Sequence, residues 1–315
     1  MNLSTKYLGL ELKNPIVVGA SPLSFSLESA QRLEEAGAAA IVMHSLFEEQ
    51  FDEKLASPED KIPYHFSPEQ YVQHIRLLKK ELKIPVIASL NSVREGAWVR
   101  YARYMQDAGA DAIEINLYFL PRTDNDSSSV VEQRAFQIVR LVRQFVTIPV
   151  AVKLSPQVTS LLQFAHRLEE AGASGLVIFN RFIQPDIDIV NFRTISRLDL
   201  SDSRELLLRL HWLAALNSRT HLSLAASGGI HDSDDAIKTL VAGADAAQVV
   251  SAVLLKGPDQ IKNMLEGIGR WMEKNGFADL SEAKAKVNVL RQNAEKAAGR
   301  ENYIRIVHNW GRDRS

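Results

Sequence analysis

The chain has 315 residues, 46% of them hydrophobic and 24% charged, which is the composition of a globular protein with a large core. A net charge of −1 does not favour nucleic-acid binding, and the lack of cysteine excludes disulfides, zinc thiolates and thiol nucleophiles. No apolar stretch reaches the about 18 residues of a membrane span, and residues 1–15 lack a signal pattern. We therefore expect a cytoplasmic protein that binds a small-molecule substrate, without membrane or nucleic-acid partners.

The first predicted element is a small hairpin. Residues 3–13, LSTKYLGLELK, alternate between apolar and polar types around a glycine. We expect this hairpin to plug the bottom of a barrel.

A repeated pattern follows and runs along the rest of the chain. Four helices end at a glycine that leads into an apolar strand, within residues 34–45, 106–117, 169–180 and 240–251. Four further apolar strands, three with a proline near their start, alternate with these at residues 14–21, 84–91, 148–155 and 221–227. Eight strands with room for a helix after each predict a (β/α)8 TIM barrel, a single domain over residues 1–315. A doubly wound open sheet is the alternative.

A long insertion follows the sixth strand. It covers residues 181–203 and contains a strand-like segment, DIDIVNF, at residues 186–192. Loops of this length in compact domains are usually functional, so we expect it to contribute to the site.

The polar residues at the carboxyl ends of the strands are the candidate site, because barrel enzymes carry their chemistry there. These residues include amides, a lysine within an apolar strand and a glycine pair, but no carboxylate pair and no metal-ligand set. Amides and a lysine suit a planar heterocycle rich in carbonyls and ring nitrogens. For His44, a structural role under a loop is equally compatible. The predicted cofactor-binding residues are Ala20, Ser21, His44, Asn91, Asn116, Lys153, Asn180, Gly228, Gly229, Val250 and Ser251.

Four of these residues, on two loops, predict a phosphate site. Gly228 and Gly229 follow the seventh strand, and Val250 and Ser251 follow the eighth. Barrels commonly bind phosphate between these two loops through backbone N–H groups and a helix N-terminus.

The chain resembles the dihydroorotate dehydrogenase family, in particular its soluble class 1 branch. The resemblance rests on motifs that occur in the same order along nearly the whole chain: YLGLELKNPIVVGASPLS (7–24), EIN (114–116), VKLSP (152–156), FN (179–180), ASGGI (226–230) and LLKGPDQIKNMLEGIGRWMEKNGFADLSEA (254–283). It implies a barrel with FMN at its carboxyl mouth, oxidation of dihydroorotate in pyrimidine biosynthesis, and a homodimer. It also implies that Ala20 and Ser21 lie against the flavin, that Asn116, Lys153 and Asn180 approach its ring or the substrate, and that Gly228, Gly229, Val250 and Ser251 hold its phosphate. The family usually has glycine at the position of Val250.

The resemblance breaks at the substrate half of the site. The family's cysteine or serine base falls at Phe119, in Asn116-Leu117-Tyr118-Phe119-Leu120-Pro121, and a phenyl ring cannot accept a proton. The family's lysine after strand two appears as His44, its Asn-Ser/Thr pair after strand six as Asn180-Arg181, and its loop before strand three has no counterpart in residues 50–70. The catalytic candidates are therefore Tyr118, Lys153 and Ser127. New substrate contacts are expected from Tyr118, His44, Arg181 and residues 122–126.

Several functions are compatible with this pattern. The first is an FMN-dependent oxidoreductase that acts on another substrate, or on dihydroorotate poorly. The second is dihydroorotate dehydrogenase activity with a base recruited from residues 122–130, at Ser127, Ser128 or Ser129. The third is a catalytically silent barrel that binds flavin or a partner. A more distant alternative is a barrel for a phosphorylated metabolite, with Lys153 as Schiff-base or acid–base residue.

Overall fold

The computed structural model describes residues 1–50, 66–91, 95–119, 121, 123–181, 185–195, 198–285 and 300–309. The strands are β1 (Thr5–Tyr7), β2 (Leu10–Leu12), β3 (Ile16–Val18), β4 (Ala40–Phe47), β5 (Val86–Asn91), β6 (Ala112–Asn116), β7 (Val150–Leu154), β8 (Gly175–Ile178), β9 (Asp186–Asp188), β10 (Arg193–Ile195), β11 (Ser223–Ser227) and β12 (Ala246–Val249). The helices are α1 (Leu27–Glu35), α2 (Pro68–Glu81), α3 (Glu95–Asp107), α4 (Ser128–Phe145), α5 (Leu161–Glu170), α6 (Leu206–Leu216), α7 (Ser233–Val241), α8 (Ser251–Lys256), α9 (Asp259–Lys274), α10 (Leu280–Ala285) and α11 (Arg300–His308).

Eight parallel strands close into a barrel. They are β3 to β8, β11 and β12, and β12 pairs with β3 to complete the ring. The predicted (β/α)8 TIM barrel is therefore confirmed, and the open sheet is excluded. One strand is longer than predicted: after an irregularity beyond Val42, β4 pairs again with β5 as far as Phe47.

The hairpin β1–β2 closes the amino-terminal end of the barrel, as predicted. Its Tyr7, Leu8 and Leu12 are buried in one apolar cluster with interior residues of the barrel. The Leu8 N–H donates to Ser223 Oγ at 3.0 Å, where β11 begins. This end is filled by side chains, so a ligand site is confined to the opposite, carboxyl end.

The predicted strand-like segment of the insertion forms half of a second hairpin. Strands β9 and β10 pair antiparallel, with Ile187 opposite Thr194. Residues 182–184 and 196–197 lie outside the described residues, and residues 198–201 then lie at the mouth of the barrel. Among the helices that the structure describes, none is long and apolar enough to cross a membrane.

Candidate active site at the carboxyl mouth of the barrel

A cavity occupies the carboxyl mouth of the barrel. Its wall comes from the ends of five strands and from residues 198–201 of the insertion. Eight of the eleven predicted cofactor-binding residues line it: Ala20, Ser21, Lys153, Asn180, Gly228, Gly229, Val250 and Ser251. The structure thus brings together residues that are far apart in the chain, at the end of the barrel where the sequence predicts them.

The floor of this cavity is a buried ion pair. Only one of its two residues, Lys153, is among the predicted site residues. Lys153 Nζ lies 3.4 Å from Glu114 Oε1, and both side chains are almost fully buried. Gln248 bridges them: its Nε2 donates to Glu114 Oε2 at 2.7 Å, and its Oε1 accepts from Lys153 at 3.4 Å. The period-2 alternation of β6 could have revealed Glu114, since it shares the interior face with Asn116.

Tyr7 of the first hairpin lies fully buried below this layer. Burial raises the pKa of its phenol well above the ordinary value, and the negative charges of Glu114 and Asp245 raise it further. The phenol therefore stays neutral. The charged layer is bounded below by neutral, apolar packing.

Two asparagines meet at the rim above the floor. Asn180 Nδ2 donates to Asn116 Oδ1 at 2.8 Å, and the Asn180 N–H donates to Leu154 O at 2.7 Å. Beside them, Arg181 Nη1 lies 3.4 Å from Glu205 Oε1. The bond to Asn180 fixes the orientation of Asn116, which is not among the described residues that line the cavity.

The glycine pair after β11 is required by its surroundings. Gly228 and Gly229 have φ angles of +87° and +80°. A Cβ on Gly228 would lie 2.7 Å from Arg209 Nη2, and one on Gly229 would lie 2.6 Å from Leu206 N. Arg209 supports the loop from below, because its Nε donates to Ser227 O at 2.6 Å. The pKa of Arg209 is lowered by burial, and the carboxylate of Glu205 offsets only part of this shift.

Ser201, from the insertion, lies directly on this loop. Its Oγ accepts from the Gly229 N–H at 3.2 Å and lies 3.0 Å from Ser251 Oγ. Its backbone N–H also donates to Ser251 Oγ, at 3.2 Å. The insertion is predicted to contribute to the site, but no sequence pattern marks Ser201 itself.

Phe119 lies away from the mouth cavity. The guanidinium of Arg134, on α4, lies 4.8 Å from the centre of its ring. Phe119 lines a separate cavity with Leu117, Leu154 and residues of α4 and α5. The position at which the resemblance predicts a base thus carries an apolar ring that packs toward the outer helices.

The other catalytic candidates have structural partners. Ser127 is exposed and caps α4, where its side chain accepts from the Val130 N–H at 3.3 Å. Tyr118 is partly buried, and its N–H donates to Asn116 O at 3.1 Å. Within residues 122–126, Arg122 lies outside the described residues, as does most of the segment 50–70.

Two predicted cofactor contacts lie on the neighbouring strands β4 and β5. The ring of His44 packs against Phe25, Phe66 and Tyr71, with centroid distances of 4.6, 5.2 and 5.1 Å. Asn91 is buried at the end of β5. Neither is among the described residues that line the mouth cavity, so their cofactor roles remain predictions. The described residues also contain no group of three or more potential metal ligands.

Comparison with known proteins places this barrel among the oxidoreductases. The family model described as "Dihydroorotate dehydrogenase" matches residues 67–272. The chain is 22% identical over 306 residues to the catalytic subunit of dihydroorotate dehydrogenase B (NAD(+)) of Caldicellulosiruptor bescii, covering 92% of this chain and all of the relative. The proteins of the same name from Methanothermobacter thermautotrophicus and Pyrococcus abyssi are each 25% identical, with 89% of this chain covered and 96% and 97% of the relatives.

The barrel and its similarity to these proteins define an enzyme of the dehydrogenase class. The chain belongs to the dihydroorotate dehydrogenase family, because the family model covers about two thirds of its length.

Proposed function

We propose that the chain is an FMN-dependent oxidoreductase whose substrate is not dihydroorotate, or which turns dihydroorotate over poorly. One observation carries the proposal. The donors around the mouth cavity suit a flavin, whereas Phe119, at which the resemblance predicts the base, has its ring against Arg134. The cofactor half of the site therefore follows the resemblance, whereas the position of the base departs from it.

The ring end of a flavin fits the floor and rim. Lys153 and Gln248 line the cavity and offer an ammonium group and an amide, and Asn180 offers a second amide. An isoalloxazine edge carries carbonyl oxygens and ring nitrogens, which such groups bind. The Glu114 carboxylate keeps the Lys153 side chain in place below that edge.

The hydrogen-bond donors at the predicted phosphate position suit a phosphate group, but protein atoms lie close to the same position. Gly229 and Ser251 supply an N–H and a hydroxyl at the predicted position, and Ser201 Oγ already contacts both. Val250 stands where the family usually has glycine; its Cγ2 lies only 2.9 Å from the position of a Cβ on Gly19. The residues present therefore fit FMN, with a tighter phosphate end than the resemblance implies.

The chemistry follows from these placements. Bound FMN would supply a ring that accepts a hydride from an oxidisable substrate. Lys153 would bind the polar edge of that ring, and Asn180, held by its bond to Asn116, would orient the ring or the substrate. Phe119 accepts no proton, and a missing general base lowers the rate by about 10²–10⁴. Dihydroorotate, which must lose a proton, is therefore a poor substrate.

The test is an absorption spectrum of the purified protein with FMN, followed by anaerobic titration with dihydroorotate. We expect flavin bound at the mouth, and reduction by dihydroorotate at least about 100-fold slower than the ordinary range of about 1–10³ s⁻¹. Rapid reduction would overturn the assignment of a missing base. In that case alanine variants of Ser127, Ser128 and Ser129 would show whether one of them is the base.

A colourless protein that takes up no FMN would instead support the alternative, a catalytically silent barrel that binds a partner. The homodimer, the cytoplasmic location and the single domain over residues 1–315 stay predictions from the sequence.

A further inference from the structure

The segment of residues 198–201, called the strap from here on, crosses the phosphate end of the mouth cavity. Leu198, Leu200 and Ser201 of the strap all line the cavity, and Ser201 lies against the loop of Gly228 and Gly229. Leu198 is 63% exposed, whereas Ser201 is only 6% exposed. The strap therefore presents its leucines along the cavity and inserts its serine into the wall.

Three groups converge on the hydroxyl of Ser201. The Gly229 N–H donates to Ser201 Oγ at 3.2 Å, Ser251 Oγ lies at 3.0 Å, and His231 Nε2 lies at 3.4 Å. They come from the loop after β11 and from the start of α8, which are the two places predicted to hold a phosphate. Ser201 Oγ thus lies where an oxygen of a bound phosphate would meet the same groups.

The loop of Gly228 and Gly229 is held in place, so its N–H groups cannot turn toward another position. Gly229 packs so closely on the start of α6 that a Cβ would lie 2.6 Å from Leu206 N and 3.2 Å from Asp202 O. Arg209 holds the preceding carbonyl, Ser227 O, at 2.6 Å. Because the direction of the Gly229 N–H is fixed, one acceptor at a time can use it, either Ser201 or an anion.

We propose that Ser201 is an intramolecular ligand of the anion site, which competes with the phosphate group of the flavin. This inference rests on the proposed function and adds its regulation: the strap must release before the phosphate binds. The bonds of Ser201 are neutral, whereas bonds to a phosphate are charge-assisted and roughly twice as strong. FMN therefore displaces the serine, but with a lower affinity than an open site would have.

The experiment compares two ligands on the wild type and three variants. FMN and riboflavin differ only in the phosphate, so riboflavin reports the ring end alone. Dissociation constants are measured for the wild type, Ser201→Ala and Ser201→Gly, by quenching of flavin fluorescence, with circular dichroism to verify folding. Ser203→Ala is the matched control, because Ser203 lies two residues along the chain and its Oγ donates to Asp235 Oδ2 at 2.6 Å, not to the groups around Ser201 Oγ.

We expect both Ser201 variants to bind FMN about tenfold more tightly than the wild type, since two neutral hydrogen bonds no longer oppose binding. Their riboflavin affinity should be unchanged, and Ser203→Ala should match the wild type for both ligands. Weaker FMN binding by the Ser201 variants would make Ser201 a phosphate donor and overturn the competition. An equal gain for both ligands would overturn it too, since the effect would then not involve the phosphate.

The two proposals fail in different ways. If the wild type binds FMN and the Ser201 variants bind it equally well, only the competition is wrong. If neither the wild type nor the variants bind FMN or riboflavin, the proposed cofactor is wrong and the competition falls with it.

Discussion

The floor and the phosphate end of the mouth cavity are built in different ways. The floor is a set of side chains on three barrel strands, where Glu114, Lys153 and Gln248 bond to one another. The phosphate end is made of loops, and a serine from an insertion bonds to its donors. The arrangement of the floor is fixed by the register of the barrel strands, so it cannot change without changing the fold. The loops of the phosphate end can change without disturbing the barrel. The part of the site that varies most easily is thus the part made of loops.

The largest expected effect is on the floor. Glu114→Gln leaves the Lys153 ammonium buried without its counter-charge, and breaking a buried pair from one side lowers the free energy of unfolding by about 3–5 kcal/mol. Urea denaturation measures it. The double variant Glu114→Gln with Lys153→Gln should recover most of the loss, because neither charge remains.

An exposed pair supplies the control for this prediction. Lys6 and Glu11 lie 3.8 Å apart in the first hairpin, with side chains 66% and 79% exposed. Glu11→Gln should change stability by less than about 1 kcal/mol. A similarly small change for Glu114→Gln would contradict the view that the floor is a tightly coupled unit.

A smaller effect is expected in the glycine loop. Both Gly229 and Gly257 have a left-handed backbone, with φ angles of +80° and +82°. A Cβ added to Gly229 would lie 2.6 Å from Leu206 N, whereas a Cβ added to Gly257 would have no atom within 4 Å. Gly229→Ala should therefore be about 1–3 kcal/mol less stable than Gly257→Ala in urea denaturation. Equal losses would mean that the loop moves away from α6 at little cost, and that its N–H direction is not fixed.

The smallest effect is expected at the loop after β6. Ser127 caps α4, so Ser127→Ala should lower the free energy of unfolding by about 1 kcal/mol, measured by thermal unfolding. The rate at which dihydroorotate reduces the flavin should not change. Ser129→Ala, in the first turn of the same helix, is the control without a cap. Loss of flavin reduction in Ser127→Ala alone would show that Ser127 is a base and not only a cap.

Local patterns were sufficient to predict most of the architecture. The strand sequences, the helices that end at glycine and the first hairpin follow from periodicity and turn chemistry, which act over a few residues. The predicted ends of the strands were accurate enough that eight of the eleven residues predicted to bind the cofactor line one cavity. At β4 the prediction was two residues short, because pairing with β5 continues beyond the irregularity.

The remaining features depend on residues that meet only in the folded chain. Glu114 and Gln248 are 134 positions apart, and Ser201 and Ser251 are 50 apart, so no local pattern relates them. Barrel closure makes the first contact by bringing β12 round to β3, and the return of the insertion to the mouth makes the second. The sequence therefore identifies the barrel, its family and the residues at its mouth. Only the tertiary structure decided three features: the counter-charge of Lys153, the serine on the glycine loop and the outward packing of Phe119. Each depends on which distant parts of the chain become neighbours.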